Sequence, residues 1–206
     1  MNKDMDAEFL IKSMQKMKDD IYLGQLKDLS LDTDNGYSLS DSNMLAVNFD
    51  KFTKEAYCPS IDSSYGEFAQ SVDALSFSKD SRTLYLIEFK NGTIKSKEKR
   101  EITLKAYSTI VALHDLSDDC NMDFFRNSVV FILVYNSDKN PPAHCHQSIS
   151  CDYIHTAVFS KAKLEDIPCR FETIEHYRKH LFYKSYTYTK SQFKDFLEQE
   201  TFYEWQ

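Results

Sequence analysis

Two carboxylates and an amine, Asp73, Glu88 and Lys90, stand in this chain at a spacing that can bring them to one point. Carboxylate oxygens are hard ligands for Mg²⁺ or Mn²⁺. An ammonium beside them can orient or deprotonate a water and neutralise a phosphorane-like transition state. Such a set suits phosphodiester hydrolysis. Residues 71–77 read as a strand, 78–83 as a polar turn, and 84–90 as a second strand that ends at Asn91-Gly92. Side chains alternate along a strand, so Glu88 and Lys90 project to one side and Phe89 to the other. Asp73 and Glu88 are then the candidate metal ligands, and Lys90 the candidate for acting on water. The same residues also permit a plainer reading, in which Glu88 and Lys90 form an exposed ion pair of little weight.

The stretch Ser-Val-Asp-Ala-Leu followed by Leu-Tyr-Leu-Ile-Glu-Phe-Lys-Asn-Gly and a lysine-rich helix resembles the PD-(D/E)XK nuclease superfamily, small bacterial members above all. The resemblance covers residues 71–116. It implies a restriction-endonuclease-like α/β core, a mixed β-sheet flanked by helices, with Asp73 and Glu88 as the acids, Lys90 as the lysine, and Mg²⁺ or Mn²⁺ as cofactor. No proline precedes Asp73. Many members carry a further Glu on an earlier helix; Glu67 is too close to Asp73 for a separate packed helix, which leaves Glu8. Several branches place a polar helical residue over the metal, a role that falls to Lys105. The resemblance implies a nuclease acting on DNA; the alternative is a non-catalytic protein of this fold that binds a protein partner, as an immunity or regulatory protein does.

The net charge of −7 argues against a broad nucleic-acid-binding surface, but the charge is uneven. Residues 1–70 hold seven basic against thirteen acidic side chains, whereas residues 71–206 hold eighteen against nineteen. Lys95, Lys97, Lys99 and Arg100 gather at the start of the helix after the hairpin, beside the candidate site, and could hold phosphates or simply face solvent.

The elements that must position these groups come from patterning. With 206 residues, 42% hydrophobic and 28% charged, the chain suits one domain over 1–206, with 1–66 as a helical and loop extension on the core. Residues 6–26 read as a packing helix, 43–49 as an early strand and 58–66 as loop. Residues 95–116 form a helix with two apolar stripes, Ile102, Ala106, Ile110, Leu113 and Leu104, Tyr107, Val111, which predicts a largely buried helix crossing the sheet. The apolar run over 127–135 predicts a central strand covered on both faces. Residues 153–160 read as a strand; 171–182 and 189–205 read as helices, the last opened by Thr189 or Ser191. Tyr183, Tyr186, Tyr188, Phe193 and Phe196 could stack on bases, but in an acidic chain they read as core.

No segment is apolar enough for a membrane span, and the N-terminus has no signal-like core, so a cytoplasmic protein with reduced thiols is expected. His144, Cys145, His146, Cys151 and His155 have zinc-ligand types at spacings that match no familiar finger, leaving a zinc-stabilised binding module as a weaker reading.

Overall fold

The apolar run after Asn127 requires a strand with no solvent face, and the rest of the architecture supplies its cover. The computed structural model describes residues 22–61, 70–117, 120–141, 171 and 180–205. In chain order, β1 (Leu23–Gln25), a single turn α1 (Leu26–Leu29) and the short strands β2 (Leu31–Asp32) and β3 (Tyr37–Ser38) lead to β4 (Leu45–Asn48). A helical stretch follows, built of α2 (Phe49–Phe52), a π-helical turn (Thr53–Tyr57) and α3 (Cys58–Ile61). The hairpin is β5 (Ala74–Phe77) and β6 (Leu84–Lys90). After it come α4 (Ser96–Leu116), α5 (Met122–Ser128), β7 (Val129–Tyr135), β8 (Lys184–Thr189) and α6 (Lys190–Gln199).

Six strands form one mixed sheet in the order β1-β4-β5-β6-β7-β8. Pairing is antiparallel from β1 to β6 and parallel across β6, β7 and β8. A parallel β6–β7 pair needs a long crossover, which α4 and α5 provide. All seven residues of β7 are buried. On one face Leu84, Leu86, Phe131 and Leu133 pack with Ile102, Ala106 and Leu113 of α4; on the other Tyr85, Ile87, Ile132 and Val134 pack with Phe193 and Phe196 of α6. The expected α/β class, a mixed sheet flanked by helices, is what the chain forms.

Several expectations need correction. Residues 23–25, expected to be helical, are β1, which pairs with β4 and so fastens part of the 1–66 segment into the sheet itself. Cys58 opens α3 instead of lying in a loop, and its burial holds the thiol above its ordinary pKa. Residues 127–128 end α5, so the strand begins two residues later than the apolar pattern suggests. The last helix stops at Gln199, after which Phe202 bridges Ser78 and the Tyr203 amide bonds Phe77 on β5. Most consequential, α4 is not buried all round: Leu104, Tyr107 and Val111 are 51%, 50% and 57% exposed. Of the C-terminal aromatics, Tyr186, Tyr188, Phe193 and Phe196 are buried as expected of core, and Tyr183 is exposed. Residues 6–21 of the helix expected over 6–26, most of that over 171–182, the strand over 153–160 and the His144 to His155 cluster lie outside the described residues.

Candidate functional site

The hairpin register brings the two acids together. Ala74 pairs with Ile87, so the register carries Asp73, just ahead of β5, toward Glu88 on β6. Asp73 is held there from several sides. Its Oδ2 accepts the Phe89 amide at 2.7 Å, and its own carbonyl accepts the Phe49 amide at 3.1 Å. The preceding Val72 amide donates to Oγ1 of Thr109 on α4 at 3.0 Å. Thr109 lies one helical turn beyond Lys105, so one face of α4 supports both the backbone and the carboxylate of this segment.

Lys105 fills the space between the acids. Its Nζ donates to Glu88 Oε1 at 2.8 Å, Glu88 Oε2 at 3.0 Å and Asp73 Oδ1 at 3.0 Å. Glu88 is only 2% exposed, while Asp73 and Lys105 retain about a fifth of their side-chain surface. Burial, and then the neighbouring Asp73, push the Glu88 carboxyl well above the ordinary range, against the pull of Lys105 and Lys90. For Lys105, burial acts against the charge, but Glu88 and Asp73 outweigh it and raise the amine above its usual value. The ammonium is therefore the fixed cation of the cluster. Two carboxylates share it, and further positive charge nearby would favour the ionised form of Glu88.

Lys90 does not join this trio directly. Its Nζ pairs with Glu101 Oε2 at 3.3 Å, and Lys97 approaches the other oxygen of Glu101 at 3.6 Å. Strand alternation does put Lys90 and Glu88 on the α4 side, while Phe89 turns to the opposite layer and meets Phe193 edge-on. The departure has a simple cause: Lys105 reaches the carboxylates from above the sheet, and Lys90, at the strand end, finds the nearer acid on α4. Glu8 lies outside the described residues.

Lys95, Lys97, Lys99 and Arg100 occupy the first turns of α4, with Lys99 half-buried and the other three exposed. Lys95 is the N-cap residue, and its amide donates to Glu98 Oε2 at 3.0 Å. The basic strip thus begins beside the Lys90–Glu101 pair.

A further set of positioning residues was not singled out from sequence. Asn91, immediately after Lys90, donates to Asp32 Oδ2 at 2.6 Å and accepts from Asn136 at 2.7 Å. Hydrogen bonds from Asn91 and Asn35 hold the Asp32 carboxyl below the usual carboxylate range. Asn140 accepts the Ile94 amide at 2.7 Å and donates to the Gly92 carbonyl at 3.0 Å. These bonds tie the end of β6, the approach to α4 and the segment after β7 into one frame. The available signal was a cluster of turn-forming Asn, Asp and Ser directly after the apolar run.

Asp73 and Glu88 fit a divalent ion in kind. Mg²⁺ is commonly held by one or two carboxylates and keeps several waters, and these two are clasped around a cation already. Among the described residues no third His, Cys, Asp or Glu joins them. Comparison with protein families, curated proteins and solved structures finds no match to this chain.

Proposed function

We propose that this protein is a Mg²⁺- or Mn²⁺-dependent nuclease of the PD-(D/E)XK type that hydrolyses phosphodiester bonds in DNA. One observation carries the reading: Asp73, just ahead of β5, and Glu88 on β6 converge on one cation, the Lys105 ammonium, at 2.8–3.0 Å at the rim of the sheet. The ion would be held by these two carboxylates and would supply Lewis-acid polarisation of a phosphate oxygen and of bound water. Lys105 neutralises the paired acids and, when they turn to another cation, offers its ammonium to substrate phosphate. Lys90, at the strand end, orients the attacking water. Lys95, Lys97 and Lys99 at the start of α4 draw in the nucleic-acid backbone. Cytoplasmic residence fits this activity, and no described helix is long and apolar enough to cross a membrane.

The test is cleavage of single-stranded and duplex DNA with Mg²⁺ or Mn²⁺, abolished by EDTA. Lys90→Ala is expected to lose on the order of 10²–10³ in rate while retaining metal binding, because the ammonium acts on water and charge, not as a ligand. Absence of cleavage by wild-type protein between about pH 6 and 9, or full activity in Lys90→Ala, refutes the nuclease reading.

A second reading is a non-catalytic protein-binding module of the same scaffold. It is favoured by the internal satisfaction of the charges: Lys105 is spent on both acids and Lys90 on Glu101. In that case neither metal affects the protein.

A further inference from the structure

α4 has an outer face that no other described element covers. Lys97, Arg100, Leu104, Tyr107, Val111 and His114 follow one another at steps of three and four, which is one continuous stripe along the helix. All six are exposed. A helix at a protein surface ordinarily turns charge and amide outward. Here the middle of the stripe is three large apolar side chains, each about half exposed. Apolar groups exposed singly are commonplace, but a contiguous patch rimmed by charge marks a contact surface.

The charges at the two ends say which partner fits. Beside the apolar stripe Arg100 stands near the start of the helix and Asp115 near its end, while Glu98 and Glu101 also lie in the first turns and His114 in the last. An identical helix running antiparallel sets Arg100 of one copy against Asp115 of the other, twice. The positions agree: a two-fold axis beside Tyr107 puts Leu104 opposite Val111 and Arg100 opposite Asp115 of the second copy. Asp115 has its Oδ2 bonded by Tyr57 at 2.6 Å, which fixes the carboxylate while its side chain stays 46% exposed. A parallel arrangement would oppose like charges.

We propose that the outer face of α4 is the contact surface of a two-fold symmetric homodimer, helix against antiparallel helix. A patch self-complementary about a two-fold axis closes on itself as a dimer and leaves no open chain. The three apolar residues provide only part of the ~800 Å² per partner of a standard interface, so the dimer is concentration-dependent, with a dissociation constant on the order of 10 µM.

The full chain is tested by sedimentation equilibrium across roughly 1–300 µM, a span that brackets that value. Wild type is expected to pass from monomer to dimer. Val111→Glu and Leu104→Lys each weaken the dimer at least ~10-fold, since each brings one charge against an apolar partner without a counter-charge. The double variant Leu104→Lys, Val111→Glu sets lysine against glutamate across the axis and returns to within ~3-fold of wild type. In a parallel pair the double variant would be the worst of the three. Unchanged circular dichroism and melting in all variants exclude unfolding as the cause. A monomer throughout the range, a dimer indifferent to the single substitutions, or a double variant without recovery each overturns the proposal.

Discussion

Lys105 is the residue on which the buried acids depend. Removing one partner of a buried ion pair leaves the other charge desolvated, which costs about 3–5 kcal/mol when burial is complete. Lys105 keeps 23% of its side-chain surface and Asp73 keeps 21%. Solvent softens the loss accordingly, and Lys105→Ala is expected to destabilise the protein by about 2–3 kcal/mol in denaturant titrations. The same substitution vacates the point between the acids. If they are a metal site, Mn²⁺ will raise the melting temperature of Lys105→Ala more than that of wild type, because a ligand that binds only the native state stabilises it in proportion to its occupancy. Adding Asp73→Asn should cancel the effect. Equal, flat responses to Mn²⁺ in both proteins would mark the cluster as an internal salt bridge and nothing more.

At the scale of elements, the hairpin and α6 make separable contributions. Ile87 is fully buried in the centre of β6, between β5 and β7, on the face covered by α6. Truncation to alanine is a large-to-small core change, expected to cost about 2–5 kcal/mol by chemical denaturation; a loss below ~1 kcal/mol would show that the strand is peripheral. Because Ile87 faces away from Lys105, that loss should leave any metal response intact. α6 opens with a reciprocal cap: the Thr189 amide donates to Gln192 Oε1 at 2.9 Å, and the Gln192 amide reaches Thr189 Oγ1 at 3.4 Å. The second bond is long, so Thr189→Ala should cost about 0.5–1 kcal/mol, the lower part of the range for N-cap loss. A larger penalty would indicate that Thr189 also matters to β8, whose last residue it is.

For the whole molecule, stability should be graded across the sheet. β7 is buried throughout and paired on both sides, whereas β1 is three residues long, half-buried and paired only with β4 among the described residues. Amide exchange in the native state should therefore be slowest along β6 and β7 and much faster in β1. The frame of Asn91, Asn136 and Asn140 links β6 to the segment after β7, so the carboxylate site sits on the part expected to open last. Uniform exchange across all six strands would mean that the sheet unfolds only as one unit. Protection concentrated in β1 and β4 would contradict the layering itself.

Local chemistry was readable along the chain wherever one pattern was enough. The alternation around Glu88 predicted its partition from Phe89, the apolar run predicted a central strand, and the spacing of Ile102, Ala106, Ile110 and Leu113 predicted the face that α4 buries. The pattern offered Thr189 or Ser191 as the opening of the last helix, and the cap falls on Thr189. Lys105 over the acids was implied by the resemblance alone, and that its amine reaches both of them depends on the height at which α4 crosses β6, a distance set by packing. The sequence did not reveal that Leu104, Tyr107 and Val111 face outward, since an apolar stripe has the same period whether its cover comes from its own sheet or from elsewhere. Residues 23–25 fit a helical pattern and became a strand because pairing with β4 satisfies their backbone in the sheet. Where neighbours in sequence settle an outcome, the sequence was sufficient; where residues tens of positions apart compete for one charge or one face, only the folded arrangement decided.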